Sequence, residues 1–556
     1  MKRAAGNWKE SRSTGPPGTD AVPARNNVDA GEWWRGATLY QVYPLSFHDA
    51  DNDGWGDLQG VIEGLDYIAG LGVDGIWLCP VHLSAMEDYG YDPIDQKKIN
   101  PHLGTESDFD ELVRASHGRG LKIVLDQVWT YTSHLHEWFI ESRSSRDNPK
   151  ADWYLWADAK PDGTEPNNWR SLFGGPAWEW CPSRRQYYMT HFLPGMPHLR
   201  AQHPDVQSAL LDVGKHWIDK GVDGFRFDVA NFLMVDDALR DNPPSETEDC
   251  EFPLWAQRMV YDGSREESFA FVERIRKLLD EAGDLYSVAE ISSDKPLADA
   301  LAYCSGNRRF HSAYATKLGS GERPLAKTLM RQLKAMGGSG AWLTHFLSNH
   351  DYVRGPTSIF GTKASAAQWQ AVLAVLMAAR GNLHVYQGDE LGLPHAELPR
   401  DEVRDRQSIR YYPHGVQRDG ARTPFPWKSA APNLGFNGGT QPWLNASPAH
   451  GALARDLQEA DAGSTLQVFR RLMALRQGSA ALRHGDMQVS VVADRLLIIE
   501  RRTHGESMKL VVNLDDAPRD ASAEARASQP ALASPGIGYG DGRLRLPGWG
   551  FAFLPT

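Results

Sequence analysis

Cysteine is scarce in this chain of 556 residues: Cys79, Cys181, Cys250 and Cys304 stand far apart, with no CxxC pair and no zinc-type spacing. That pattern argues against a disulfide scaffold or a thiolate metal centre and reads as reduced, structural thiols. Positive charge is also in deficit, with 59 Lys and Arg against 71 Asp and Glu for a formal charge of −12. Nucleic acid and anionic membrane surfaces are therefore poor partners. Long apolar runs are missing too. The most apolar helix-like segment, around Val372–Ala379, is much too short to cross a bilayer. Residues 1–32 carry Lys2 and Arg3 but no apolar run follows, the rest being mostly Gly, Pro, Ala and polar residues, so a disordered tail is expected rather than a signal peptide. These absences point to a cytoplasmic protein with no membrane and no nucleic-acid partner; a monomer or homodimer is expected.

Aromatic side chains, by contrast, are plentiful, with 19 Trp and 18 Tyr. They supply flat apolar platforms for sugar faces, although core and loop packing accounts for most of them. From Ala37 onward, short apolar runs alternate with helix-like stretches. The runs are TLYQVYP, GVDGIWLCP, LKIVLDQV, VDGFRFDVA, LYSVAEIS, FHSAYA, WLTHFLSNHD and NLHVYQGDE. Between them, segments such as SDFDELVRASHGRG place apolar residues at three-to-four spacing, often closed by glycine. Eight strands separated by helices predict an α/β fold of the (β/α)8 TIM-barrel type, residues 33–128 and 206–484. The sixth run is the shortest. Residues 129–205, rich in Trp, Pro and Asn, are too long for a bare loop and predict a subdomain inserted after strand three, over the barrel mouth. After the helix STLQVFRRLMALRQ the pattern switches to period two, which predicts a C-terminal antiparallel β domain, a sandwich, over 485–556.

Polar residues at the C-terminal ends of barrel strands carry the chemical information, because active sites of this fold gather there. In GFRFDVAN, Arg226 and Asp228 are two apart and so point to one side of a strand. This is a structural ion pair or a carboxylate kept ionised for nucleophilic attack. Strand five ends in Glu290 and strand seven in His350 and Asp351. Three carboxylates converging on one mouth are hard to explain by packing, since buried like charges raise each other's pKa. Glycoside hydrolysis needs such a set, one carboxylate ionised and one protonated. The stretch Asp49-Ala-Asp51-Asn52-Asp53-Gly54-Trp55-Gly56-Asp57 has EF-hand-like oxygen spacing, with glycine at position six but Gly60 where the bidentate glutamate belongs. It is either a cation loop or an acidic turn.

With WWRGATLYQVYPLSF, DNDGWGDLQGVIEGLDYI, YGYDPID, NPKADWYLW and RDGARTPFPW in order, residues 33–556 resemble the α-amylase family, glycoside hydrolase family 13, in its α-glucosidase and oligo-1,6-glucosidase branch. The resemblance implies Asp228 as nucleophile, Glu290 as general acid then base, and Asp351 with His350 on the sugar 2- and 3-hydroxyls. Arg226 would orient Asp228. Asp92 and Arg422 would clamp the non-reducing end, and Tyr91, Tyr131, Phe173 and Met196 would line the terminal-sugar pocket. A structural Ca2+ or Mg2+ is implied on Asp49, Asp51, Asp53, Trp55 and Asp57, with no organic cofactor. The implied activity is exo-acting and retaining, on small α-glycosides; Val229 leans toward α-1,6 or other non-1,4 linkages.

The chain departs from the family pattern twice. Tyr131 stands where a histidine that reaches the 6-hydroxyl is normal, and Met196-Pro197-His198-Leu199-Arg200 replaces Gln-Pro-Asp-Leu-Asn. One expectation is a pocket remodelled near C5/C6, preferring a pentose, a 6-deoxy sugar, or an acidic sugar should His198 or Arg200 turn inward. The other is that Tyr131 offers its hydroxyl to the same glucose. Transglycosylation or isomerisation through the same intermediate, and a decayed sugar-binding relative, are the competing functions.

Overall fold

The computed structural model describes residues 32–245, 256–338, 340–522, 529–540 and 543–556. Cys250 and nearly all of the expected N-terminal tail lie outside the described residues. The eight expected runs form one parallel sheet: β1 (Thr38–Val42), β2 (Gly75–Leu78), β3 (Lys122–Gln127), β4 (Gly224–Phe227), β5 (Tyr286–Glu290), β6 (Ser312–Tyr314), β7 (Thr344–Phe346) and β8 (Asn382–Tyr386). Their order, β6-β5-β4-β3-β2-β1-β8-β7, is that of a closed barrel written out from its one unladdered seam. At that seam β6 and β7 have three residues each. Ser312 and Thr344 join hydroxyls there at 2.7 Å, and Leu318 N donates to Phe346 O at 2.8 Å.

Strands buried on both faces need no apolar–polar alternation, which is why these runs read as continuous. The sequence runs overshoot the strands at their C-terminal ends. Asp228, His350 and Asp351 lie past the last laddered residue, on the loops that form the mouth. Among the described residues no helix is long and apolar enough to cross a membrane.

The segment after β3 holds a short helix (Glu137–Ser142) and an antiparallel sheet of Trp156–Ala157, Gln186–Met189 and Trp178–Cys181. Backbone bridges Tyr131↔His198 and Tyr154↔Leu199 tie its exit to its entrance. The residues flanking the pocket are thus fixed by two stretches of chain at once.

Two antiparallel sheets, of five and three strands, make up the C-terminal part and share a core that includes Leu496, Val511, Leu544, Leu546 and Leu554. The first sheet packs on the barrel through helix Ala366–Ala378, whose residues Trp369–Ala378 are all buried. That helix ends under two arginines. Arg501 donates to Ala378 O at 3.0 Å and Ala379 O at 2.7 Å, and Arg476 donates to Met377 O at 2.9 Å and Gly381 O at 2.9 Å. The last carbonyls of a helix have no partner within it and carry its partial negative charge, so buried guanidinium groups belong there.

Candidate active site

One guanidinium organises the barrel mouth. Arg226 is fully buried, with Nη1 donating to Asp126 at 2.6 Å and to Asp228 Oδ1 at 2.8 Å. Its Nη2 donates to Glu290 Oε2, its Nε to the Tyr314 hydroxyl at 2.9 Å, and its plane lies over Trp77 at 4.9 Å. Asp228 follows β4 instead of ending it, yet its carboxylate still meets Arg226. The turn is made at Val229, whose φ of 34° is strained for a β-branched residue and aims its N–H at Glu290 Oε2, 3.4 Å away. A single guanidinium bridging Asp228 and Glu290 favours the close carboxyl spacing, about 5–5.5 Å, of a double displacement.

Three carboxyls share one arginine, so the group cannot be fully ionised cheaply. Burial, with Asp228, Asp351 and Asp126 adding to it and Arg226 opposing, pushes Glu290 up to about 8. Burial likewise lifts Asp126 to about 6 against Arg226. With Oε2 taken by Arg226 and Val229, Glu290 has Oε1 free to carry a proton.

On the far side, Asp351 accepts from Arg422 Nη2 at 2.7 Å and Arg418 Nη1 at 3.1 Å, and lies 3.2 Å from His350 Nε2. Burial alone would raise it, but His350, Arg418 and Arg422 overcome this and hold it well below the usual carboxylate range. His350 is stacked between Tyr43 and Tyr91, at 5.5 and 5.1 Å. Gln41 Nε2 donates to its Nδ1 at 2.8 Å, which leaves the ring proton on Nε2, facing Asp351. Burial drops the His350 pKa to about 3, so that the ring is neutral.

The expected clamp of Asp92 with Arg422 is not what the chain builds. Asp92 is bonded within its own loop, accepting from Ser84 Oγ at 2.5 Å and Glu87 N at 2.9 Å. Asp88 makes the ion pair instead, with Arg418 at 2.7 Å, and Asp405 completes the cluster on the same guanidinium. Burial raises Asp88 to about 7 despite Arg418, whereas Arg418 overcomes burial to hold Asp405 near 2. DYGYD offers two aspartates, Asp88 and Asp92, and RDGAR two arginines, Arg418 and Arg422. Four-residue offsets within a turn decide which one projects, and the motif alone does not.

Tyr91 donates to Asp126 at 2.9 Å and Phe173 lies under Arg418 at 4.8 Å. Tyr131 donates to Asp228 Oδ2 at 2.6 Å. Its ring sits in an apolar cluster with Tyr91, Val128, Phe173, Phe192, Leu193, Met196 and Val229. Neither residue expected to recognise an acidic sugar faces it: Arg200 pairs outward with Asp237 at 3.2 Å, and His198 is buried against His191 with burial keeping it neutral.

In the acidic loop, carboxylate oxygens of Asp49, Asp51 and Asp57 lie within 4.8 Å of one another. Asp53 stands outside this trio, its Oδ1 taken by Trp55 N at 2.8 Å, and the Trp55 ring stacks on Trp443 at 5.4 Å. Among the described residues the hydrogen-bond donors to the trio are backbone N–H groups and Asn437, with no Lys or Arg. Burial raises Asp51 and Asp57 against the backbone N–H bonds that lower them, with neighbouring aspartates adding to it. Gly54, with φ of +103°, lets the loop close, as a Cβ there would meet Gln441 O at 2.5 Å. An all-oxygen trio of this kind fits a hard divalent cation.

Two family models match. "Alpha amylase, catalytic domain" covers residues 41–485, and a domain of unknown function covers 484–553. A probable alpha-glucosidase of Rhizobium meliloti (strain 1021) is 39% identical over 94% of this chain and 97% of its own. An oligo-1,6-glucosidase of Parageobacillus thermoglucosidasius is 33% identical, over 86% and 90%. The crystal structure of the alpha-glucosyl transfer enzyme XgtA superposes with a TM-score of 0.90 at 39% identity, over 94% of this chain and 99% of that one.

Arg418→Gln is expected to lower kcat/KM on a small α-glycoside by about ten- to hundredfold through KM, whereas Asp92→Asn should chiefly lower the melting temperature. Equal kinetic losses in both variants would return the clamp to Asp92. The free-enzyme profile of kcat/KM should fall as pH rises through about 8, where Glu290 loses its proton. With an activated aryl glycoside, Glu290→Gln should flatten that limb; an unchanged limb assigns it to another group.

Proposed function

The chain belongs to the α-amylase family, and from that premise we propose that it removes terminal α-linked sugars from small glycosides by a retaining double displacement. The observation that carries this is the Arg226 bridge, which holds Asp228 and a protonatable Glu290 on the same side of one mouth. Asp228 attacks C1 while Glu290 delivers its proton to the departing oxygen. Water then enters, Glu290 takes its proton, and the C1–O bond to Asp228 breaks. Asp351, with His350 and Arg422 behind it, is preorganised to hold sugar hydroxyls through the charged transition state. The Asp88–Arg418–Asp405 cluster supports a closed far end and hence exo action.

The terminal pocket is altered at C6. The Tyr131 hydroxyl is engaged by Asp228, and the wall around it is apolar, which supports preference for a sugar with little polarity at C6. A site that leaves a buried hydroxyl unpaired loses about 1–3 kcal/mol, or up to two powers of ten. Transfer to an acceptor sugar or alcohol is a second reading, supported by the likeness to the solved α-glucosyl transfer enzyme.

A structural Ca2+ or Mg2+ would be held by Asp49, Asp51 and Asp57, neutralising three crowded carboxylates and fixing the loop beside the mouth; it supplies no step of the reaction.

Aryl α-glycosides that differ only at C6 test the pocket. A 6-deoxy-gluco or xylo substrate is expected to exceed gluco in kcat/KM by about tenfold, with α-anomer formed first by NMR. Gluco outperforming every C6 variant sinks the altered pocket, and a β-anomer sinks retention. For the metal, Ca2+ in excess should raise the melting temperature by several degrees over a chelated sample, an effect absent in Asp51→Asn. Identical melting curves in both conditions would rule the site out.

A further inference from the structure

Two donors divide the Asp228 carboxylate between them. Arg226 Nη1 takes Oδ1 at 2.8 Å and the Tyr131 hydroxyl takes Oδ2 at 2.6 Å. The two are not equivalent. Arg226 also serves Asp126, Glu290 and Tyr314, while Asp228 is the one side-chain partner of the Tyr131 hydroxyl among the described residues. The phenol is aimed by the fold rather than by chance. The Tyr131↔His198 bridge, Thr132 N on Pro197 O at 3.2 Å and Leu199 N on Thr130 O at 2.9 Å fix its backbone, and Phe192 packs on its ring at 4.9 Å.

We propose that Tyr131 is a hydrogen-bond donor that makes Asp228 a better leaving group, so that it speeds breakdown of the glycosyl-enzyme and restrains its formation. The inference rests on the retaining reading above. A donor bond to an ionised carboxylate is about twice as strong as one to a neutral ester. In the first step Asp228 spends its charge on the new bond to C1, and the Tyr131 bond weakens. In the second step water oxygen bonds to C1, Glu290 takes the water proton, and the C1–O electron pair returns to the carboxylate as the Tyr131 bond strengthens. Tyr131 keeps its own proton throughout, because burial and the Asp228 charge push its hydroxyl well above the ordinary phenol range. The effect holds whichever oxygen bonds C1, since Oδ2 is then either the ester oxygen or its carbonyl.

The test is Tyr131→Phe in the full chain, which keeps the ring and removes the donor. The probe is 4-nitrophenyl α-D-glucopyranoside, whose leaving group makes the first step fast. Expected are a fall in kcat of about ten- to hundredfold with a still larger fall in KM, so that kcat/KM rises, and a nitrophenol burst approaching one equivalent. Intact-mass spectra of the quenched variant should show one added glycosyl unit. Neither KM nor the ratio of burst to active enzyme depends on how much of the variant folds. A kcat/KM that falls along with kcat, without a burst, overturns the proposal, as does unchanged turnover. The first-formed anomer of the parent reports separately on retention, so a β product would refute the retaining reading itself.

Discussion

Everything at the mouth of this barrel depends on one buried guanidinium bridging three carboxyls. A charged side chain removed from water costs several kcal/mol unless matched charges and hydrogen bonds replace the solvent. Arg226 has that replacement from β3, β5 and the loop after β4, with the Trp77 face against its plane. The same arrangement sets the division of labour. With three acidic groups on one positive charge, one of them holds a proton most easily, and burial selects Glu290. Fold stability and acid–base chemistry therefore use the same contacts.

A second set of charges faces the first across the pocket. Arg418 and Arg422 both reach Asp351, and Arg418 is itself braced by Asp88 and Asp405. Asp351 is thereby fixed in place before any sugar arrives, so little reorganisation is left for the transition state. His350 contributes a neutral N–H rather than a charge, because Gln41 and two stacked tyrosines hold its ring in a dry slot.

Much of this could be read from the chain. Strands buried on both faces announce themselves as unbroken apolar runs, and Asp228, Glu290 and Asp351 stand out because they close such runs. Even the three-residue β6 was visible as FHSAYA. What could not be read was the choice among like residues within a turn. Asp88 and Asp92 differ only in which one the loop amides capture, and Arg418 and Arg422 in how far each reaches. Asp53 likewise stands outside the acidic trio of Asp49, Asp51 and Asp57, although all four aspartates belong to one stretch of the sequence. The partner of Tyr131 was also hidden, since a phenol in place of a histidine does not reveal whether it faces sugar or nucleophile. The turn at Val229 that places Asp228 is likewise a backbone event, with no residue type to advertise it.

The two family models meet at residues 484–485, as if the chain could be cut there. Helix Ala366–Ala378 contradicts that boundary. Its flank is covered by strand Ser507–Asn513, and Arg501 from the paired strand Leu496–Arg502 supplies donors to its last carbonyls. A chain stopped at the boundary would expose the flank of this buried helix that strand Ser507–Asn513 covers, and would lose the Arg501 donors at its end, leaving Arg476 alone there. In physical terms the unit of inheritance and the unit of folding differ: the five-stranded C-terminal sheet is the outer wall of the barrel's own core, not an appendage to it.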